Sequence, residues 1–276
     1  MLNTSKGLFQ RDKIKIILDN YAEKYDTADF IKDDPVQFVH LYKTDADTEL
    51  AGFIASMFAY GKREVFISKL KTFFQRVESP YNFIKSFDEE DVFLNNFDYR
   101  FSKGVDFVQI LKILKNLENE GETLQTLFRY SYDNTGTVTG MLQGVTDYFY
   151  ANTDMNITQG FYHLLPNPSK NGAMKRMNMM LRWFVRKSPV DKGIWNFIDK
   201  SELIIPVDVH VGNISRKIGL LQRKNNDMKS AVEITEKLKE FDEKDPVKYD
   251  FALFGIGVNG AENNFKDFFN NSLHLQ

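Results

Sequence analysis

The chain has no cysteine. That absence excludes disulfides, thiolate zinc sites and cysteine-bound iron–sulfur clusters. Histidine is nearly as scarce: His40, His163, His210 and His274 are too scattered for a His-rich metal site, and neither a metal nor a cofactor is expected. No run approaches the roughly eighteen apolar residues that read as a membrane span. The start, MLNTSKGLFQRDK, lacks the apolar segment of a secretory leader. A reducing cytoplasm is therefore the expected compartment, with no membrane partner. An excess of either charge is lacking too. With 36 basic against 38 acidic side chains the formal net charge is −2, which argues against a protein that coats nucleic acid by charge alone and leaves room for one basic groove. Strand alternation, internal repeats and low-complexity linkers are also missing.

What is present is aromatic and helical. Phe at 25 residues and Tyr at 12 suit a helical core with large fillers, and 276 residues can bury one. Residues 10–25 place Ile14, Ile17, Leu18 and Tyr21 on one face of a helix. Pro35 opens another. Asp45, Asp47 and Glu49 read as first-turn acids before LAGFIASMFAY, a helix apolar nearly all round that halts at Tyr60-Gly61-Lys62-Arg63. Further helical spacing covers 64–77, 106–117, 123–132, 138–151, 173–187 (Met177, Met180, Leu181 and Phe184 inward), 228–241 and 247–260. Residues 88–100 read as loop-like with short helical turns, 161–168 as turn-rich, and a Phe-rich tail closes the chain. The class is all-α, with about ten to twelve helices. Arg182, Arg186, Lys187 and Arg216 read as solvated helix surface.

The chain is organised around Leu203–Leu221, LIIPVDVHVGNISRKIGLL. Its first half is apolar and marked by Pro206. Its second half has helical spacing through Val211, Ile214, Ile218 and Leu221. Asp208 stands at the change-over, as an N-cap that accepts first-turn amides and complements the helix dipole. A carboxylate held ionised in this way is a fixed negative charge at the rim of a pocket. The ordinary reading is a helix cap and nothing more.

Pro206-Val207-Asp208-Val209-His210-Val211 resembles the segment that carries the catalytic aspartate in helix-hairpin-helix DNA glycosylases, and is similar to the PVDVH of the 8-oxoguanine glycosylases. Upstream, Lys170-Asn171-Gly172-Ala173-Met174-Lys175 matches the turn and lysine-bearing helix of that superfamily, with Lys175 at its Schiff-base lysine. The two lie 33 residues apart, similar to the archaeal 8-oxoguanine glycosylase branch. Asp34-Pro35 to Lys62 resembles the early core helix with its DNA-facing turn, and 249–260, YDFALFGIGVNG, the terminal helix against the base pocket. The combination of FIASMFAYG and IPVDVHVG also marks a bacterial family of unassigned function. Of the usual Gly-any-Gly hairpin only Gly172 is present, and the glutamine that usually follows the early helix is replaced near Ala59 and Tyr60.

The resemblance implies two helical lobes, residues 34–200 and residues 1–33 with 201–276, and a cleft with Lys175 and Asp208 on opposite sides. It implies excision of a flipped, damaged base from double-stranded DNA, an oxidised purine such as 8-oxoguanine, by a monomer. Lys175 attacks C1′ as the neutral amine, its pKa lowered by the helix dipole and Arg176. Asp208 stabilises the positive charge that develops on the sugar. Tyr60, Gly61, Lys62, Arg63, Gly172, Arg176 and His210 are the expected DNA contacts, with the aromatic and exposed turn at Tyr60-Gly61, just before Lys62 and Arg63, filling the gap left by the flipped base. Phe251, Phe254 and Trp183 are the expected base pocket. The alternative is a non-catalytic helical module that keeps the glycosylase fold and binds DNA or protein. A helical phosphohydrolase is disfavoured because no adjacent His-Asp pair exists.

Overall fold

The computed structural model describes residues 2–258 except Met155 and Asn171, with side chains from Arg11 onward. The Phe-rich tail, His274 and Asn171 of the hairpin-like turn lie outside the described residues. Among the described residues the fold is all-α, without a strand; its β-like pairing is confined to isolated bridges, Tyr99 with Ser102 and Lys187 with Lys192. The helices are α1 (Leu2–Tyr25), α2 (Ala28–Ile31), α3 (Asp45–Phe58), α4 (Arg63–Phe74), α5 (Pro80–Ser86), α6 (Val92–Asn95), α7 (Gly104–Asn119), α8 (Leu124–Thr135), α9 (Val138–Ala151), α10 (Gln159–Leu164), α11 (Lys175–Val185), α12 (Val209–Lys217), α13 (Met228–Lys239) and α14 (Tyr249–Val258). They outnumber the sequence expectation because short helices such as α10 fill stretches read as turns, while α6 is one of the short helical turns expected in 88–100. None of the described helices is long and apolar enough to cross a membrane.

α3 is the central helix. Thr44 caps it by accepting from Asp47 N at 3.2 Å, and every residue from Thr48 to Phe58 is buried. It meets α11 at Gly52, where an added Cβ would lie 2.5 Å from the Phe184 ring. Only a glycine permits that approach. Two of the three acids read as first-turn caps are tied elsewhere. Asp47 accepts from Ser79 Oγ at 2.6 Å and Tyr81 N at 3.0 Å, holding the start of α5. Glu49 is buried, accepting from Trp195 Nε1 at 2.8 Å and Gln125 N at 3.1 Å. Burial pushes its carboxyl up to about 7, against the pull of those two donors.

The ends of the described chain meet. α1 packs along α14, with Tyr25 against Gly255 and Tyr249 Oη donating to Asp19 Oδ1 at 2.8 Å. α14 also packs on α12. Buried apolar side chains form one contiguous cluster from Ile14 to Ile256.

Arg182 and Arg186 are buried, which corrects their reading as solvated surface. Arg186 meets Asp26 at 2.8 Å, Asp191 at 2.9 Å and Asp245 at 3.0 Å. Arg182 pairs with Asp191 at 3.2 Å and with Asp250. A lone guanidinium would not survive such desolvation, so these carboxylates are the condition for burying α11 on this face.

Candidate functional site

α11 begins under constraint. Met174, its N-cap, is buried and adopts φ 49 and ψ 29, the left-handed region that a long side chain rarely enters. The turn delivers Lys175 as the first helical residue, with its side chain one-third exposed. From the other direction, the apolar stretch Leu203–Val207, without regular secondary structure and largely buried, leads to Asp208. Asp208 Oδ1 accepts from Val211 N at 2.9 Å, closing the first turn of α12, and Oδ2 accepts from Lys175 Nζ at 3.0 Å. The expected cap is therefore present, and its second oxygen is occupied by Lys175, so the two side chains expected on opposite sides of a cleft are in direct contact. Burial alone would raise the Asp208 carboxyl; Lys175, the Val211 amide and His210 outweigh it and hold the group below the ordinary aspartate value. Asn226 Nδ2 donates to Asp208 O at 3.0 Å, and Arg216 fixes Asn226 and the carbonyls of Arg223 and Lys224.

The pair lies in the wall of a cavity of about 500 Å³, within the range of small-molecule pockets. One side is aromatic. Phe30 meets Phe251 edge-on at 5.2 Å and Phe254 at 6.3 Å between centroids. The Arg63 guanidinium stands 5.2 Å and Lys175 Nζ 6.0 Å from the Phe254 ring. The charged groups Asp34, Arg182 and Asp250 adjoin this aromatic side, with the Arg182 guanidinium 4.1 Å over the Phe251 ring. Asp34 is buried, and Oδ1 accepts from Val36 N at 3.0 Å. Burial raises its carboxyl despite that amide, Arg182, Arg63 and Lys175. Asp250 is pushed up to about 6 by burial, opposed by Arg182 and reinforced by Asp208.

Of the residues singled out from the sequence, Tyr60, Gly61, Arg63, Gly172, Arg176, His210, Phe251 and Phe254 all line this cavity beside Lys175 and Asp208. Lys62 is exposed at the N-cap of α4, next to the rim. Trp183 is the correction. It is fully buried and absent from the cavity wall, and its indole nitrogen finds no hydrogen-bond partner among the described residues. It stands one turn beyond the cavity residue Met179, on a part of α11 that is wholly inside the core. Arg176 faces the interior, donating to Met57 O and His163 O with its guanidinium 5.0 Å over the Tyr60 ring. It is a tie between α3, α10 and α11. Gly172 has open space where a Cβ would be.

Sequence reasoning passed over Phe30, Asp34, Arg182 and Asp250. The available signal was an acid inside an apolar stretch, as in Tyr249-Asp250-Phe251, where a charge needs a buried partner. No group of three or more acidic or histidine side chains able to hold a metal ion occurs among the described residues. Comparison with curated proteins and with solved structures gives no match. A family match spans residues 34–259, from the Asp34 side of the cavity to the end of α14, and by it the chain belongs to the family described as "Protein of unknown function (DUF2400)".

Proposed function

We propose that the protein is a DNA base-excision glycosylase with AP-lyase activity, acting on a damaged base turned out of double-stranded DNA. The observation that carries the reading is the 3.0 Å contact between Lys175 Nζ and Asp208 Oδ2 in the wall of an aromatic-sided cavity. In this reading residues 34–200 form one lobe, residues 1–33 and 201–276 the other, and the cavity lies between them. The extruded base enters beside Phe251 and Phe254, and its sugar reaches the Lys175–Asp208 pair.

The chemistry follows from the two groups. The ammonium releases a proton so that the Nζ lone pair can attack C1′. The C1′–N bond to the base breaks, its electron pair leaves with the base, and the base takes up a proton. Positive charge on the sugar is largest as that bond opens, and the Asp208 carboxylate, fixed by the α12 amide, stabilises it without having to reorganise. Ring opening gives an imine on Lys175. Loss of the C2′ proton then expels the 3′ phosphate and breaks the strand. Resemblance favours an oxidised purine such as 8-oxoguanine as the base.

Borohydride trapping tests the reading. Purified protein and duplexes bearing single lesions should give a covalent adduct with at least one lesion. Lys175→Gln should give none. The second reading, a helical module that binds DNA without chemistry, is favoured by Arg176, whose guanidinium is held by two backbone carbonyls, and by Gly172, whose surroundings demand no glycine. Its signature is duplex binding with no adduct on any lesion.

A further inference from the structure

Beside the cavity the chain makes a two-residue hairpin. Tyr99 N donates to Ser102 O at 2.8 Å and Ser102 N to Tyr99 O at 2.9 Å, leaving Arg100 and Phe101 as the tip. Tips of this length require positive φ, which glycine and asparagine adopt with least strain. Here Arg100 takes it, at φ 51. Phe101 follows with 61% of its surface exposed. The base of the hairpin is firmly held. Tyr60 Oη donates to Tyr99 O at 2.9 Å and lies 3.0 Å from Ser102 Oγ, Tyr99 Oη donates to Tyr60 O, and Ser102 Oγ reaches Gly160 O at 3.2 Å. A rigid support under a strained arginine and an exposed phenyl ring marks a tip built to touch something.

Its position says what. Gly61 lines the cavity, and a Cβ added to it would lie 3.0 Å from Arg100. The Phe101 ring is 5.1 Å from His163, which is itself 4.5 Å from the cavity residue Tyr60. Burial, Arg176 and Arg100 hold His163 below the ordinary histidine value, so it supports the ring as a neutral partner. Exposed Lys62 adds positive charge on the same rim. The sequence had put the gap-filling role on the turn from Tyr60 to Arg63. Tyr60 is half-buried with its hydroxyl engaged, so it braces the hairpin.

We propose that Phe101, with Arg100 beside it, inserts into the base stack of duplex DNA and fills the gap left by the nucleotide that enters the cavity. This deepens the excision reading and rests on it. A phenyl face stacks on any base, and an apolar wedge between base steps is repaid by the extruded nucleotide's contacts. A tip already fixed in shape loses little freedom on insertion.

The test uses the full chain, a duplex with a tetrahydrofuran abasic analogue and the same duplex intact. Phe101→Ala should lose roughly 5- to 100-fold of the preference for the abasic duplex, the range expected for one base–aromatic stack. Its circular dichroism should match wild type because the ring is exposed. Phe101→Trp should show quenched emission when the abasic duplex binds, while the native Trp183 and Trp195 are buried and constant. If wild type forms the borohydride adduct but Phe101→Ala keeps the full preference and the Phe101→Trp emission does not change, the insertion is overturned and excision stands. A Phe101-dependent preference with no adduct on any lesion overturns excision and keeps the tip as a DNA contact. Binding of neither duplex overturns both, and the tip is then a protein contact.

Discussion

Asp208→Asn removes one negative charge and keeps an oxygen able to accept from Val211 N, now 2.9 Å from Oδ1. Asn and Asp are comparable N-caps, so the helix start is retained. What is lost is the ion pair with Lys175, whose partners are 34% and 17% exposed. Exposed pairs contribute up to about 1 kcal/mol, and unpairing a fully buried charge costs about 3–5 kcal/mol. With Lys175 reaching solvent, a loss near ~1 kcal/mol is expected, visible as a Tm lower by about 2–4 °C. The pH dependence has a definite sign. Asp208 is held below its ordinary value, so its contribution is present above the unfolded aspartate pKa of about 3.9 and lost as pH falls through the folded value. The Tm difference between variant and wild type should therefore shrink on acidification. Single-turnover excision should fall by ~10²–10³, the effect of deleting one electrostatic stabiliser of a transition state. Asp208→Ala should match that rate and add about 0.5–2 kcal/mol of instability from the lost cap. An Asn variant that excises at the wild-type rate would remove Asp208 from the chemistry and leave it a cap.

Glu49, raised from 4.5 to about 7, is more protonated when folded than when unfolded in that interval, so stability should decline by up to ~3 kcal/mol as pH rises through it. Urea titrations at pH 5 and pH 8 check this, and an equal pH slope in Glu49→Gln would refute it. Gly61→Ala meets φ 82 and a Tyr99 Oη only 2.8 Å from the new Cβ, and should lose about 1–3 kcal/mol in chemical denaturation. Gly172→Ala meets nothing and should stay within about 0.5 kcal/mol of wild type; a larger loss would mean that the turn needs its glycine. Arg186→Met leaves Asp26, Asp191 and Asp245 without their shared cation. A loss of about 3–5 kcal/mol is expected, and a neutral result would show that these carboxylates fold uncharged.

Local chemistry was legible in the sequence. Asp208 as a cap needs only Val211, three residues on, and the burial of α3 is written in its unbroken apolar run. The direct contact of Lys175 with Asp208 was legible neither in spacing nor in the resemblance, which put the two in one cleft but on opposite sides of it. Charge burial was the least legible. Arg182 finds Asp250 across 68 residues, Arg186 finds Asp245 across 59 and Glu49 finds Trp195 across 146. No periodicity on α11 or α3 carries that information. Trp183 misses the cavity for a related reason: it stands one turn beyond Met179 on α11, and that turn lies inside the core, which helical spacing does not reveal.

The packing of α1 on α14 sets an order of events during folding. Tyr249 reaches Asp19 across 230 residues, and Phe30 and Phe254 meet as part of the aromatic wall. Contacts that close such long loops form after their entropy has been surrendered, and they slow folding. α3, α11 and the Lys175–Asp208 contact lie wholly within the enclosed chain, so a ribosome-bound chain can carry that ion pair before it has the wall that shapes the cavity. The cavity is thereby a late acquisition, one that reports the arrival of α14.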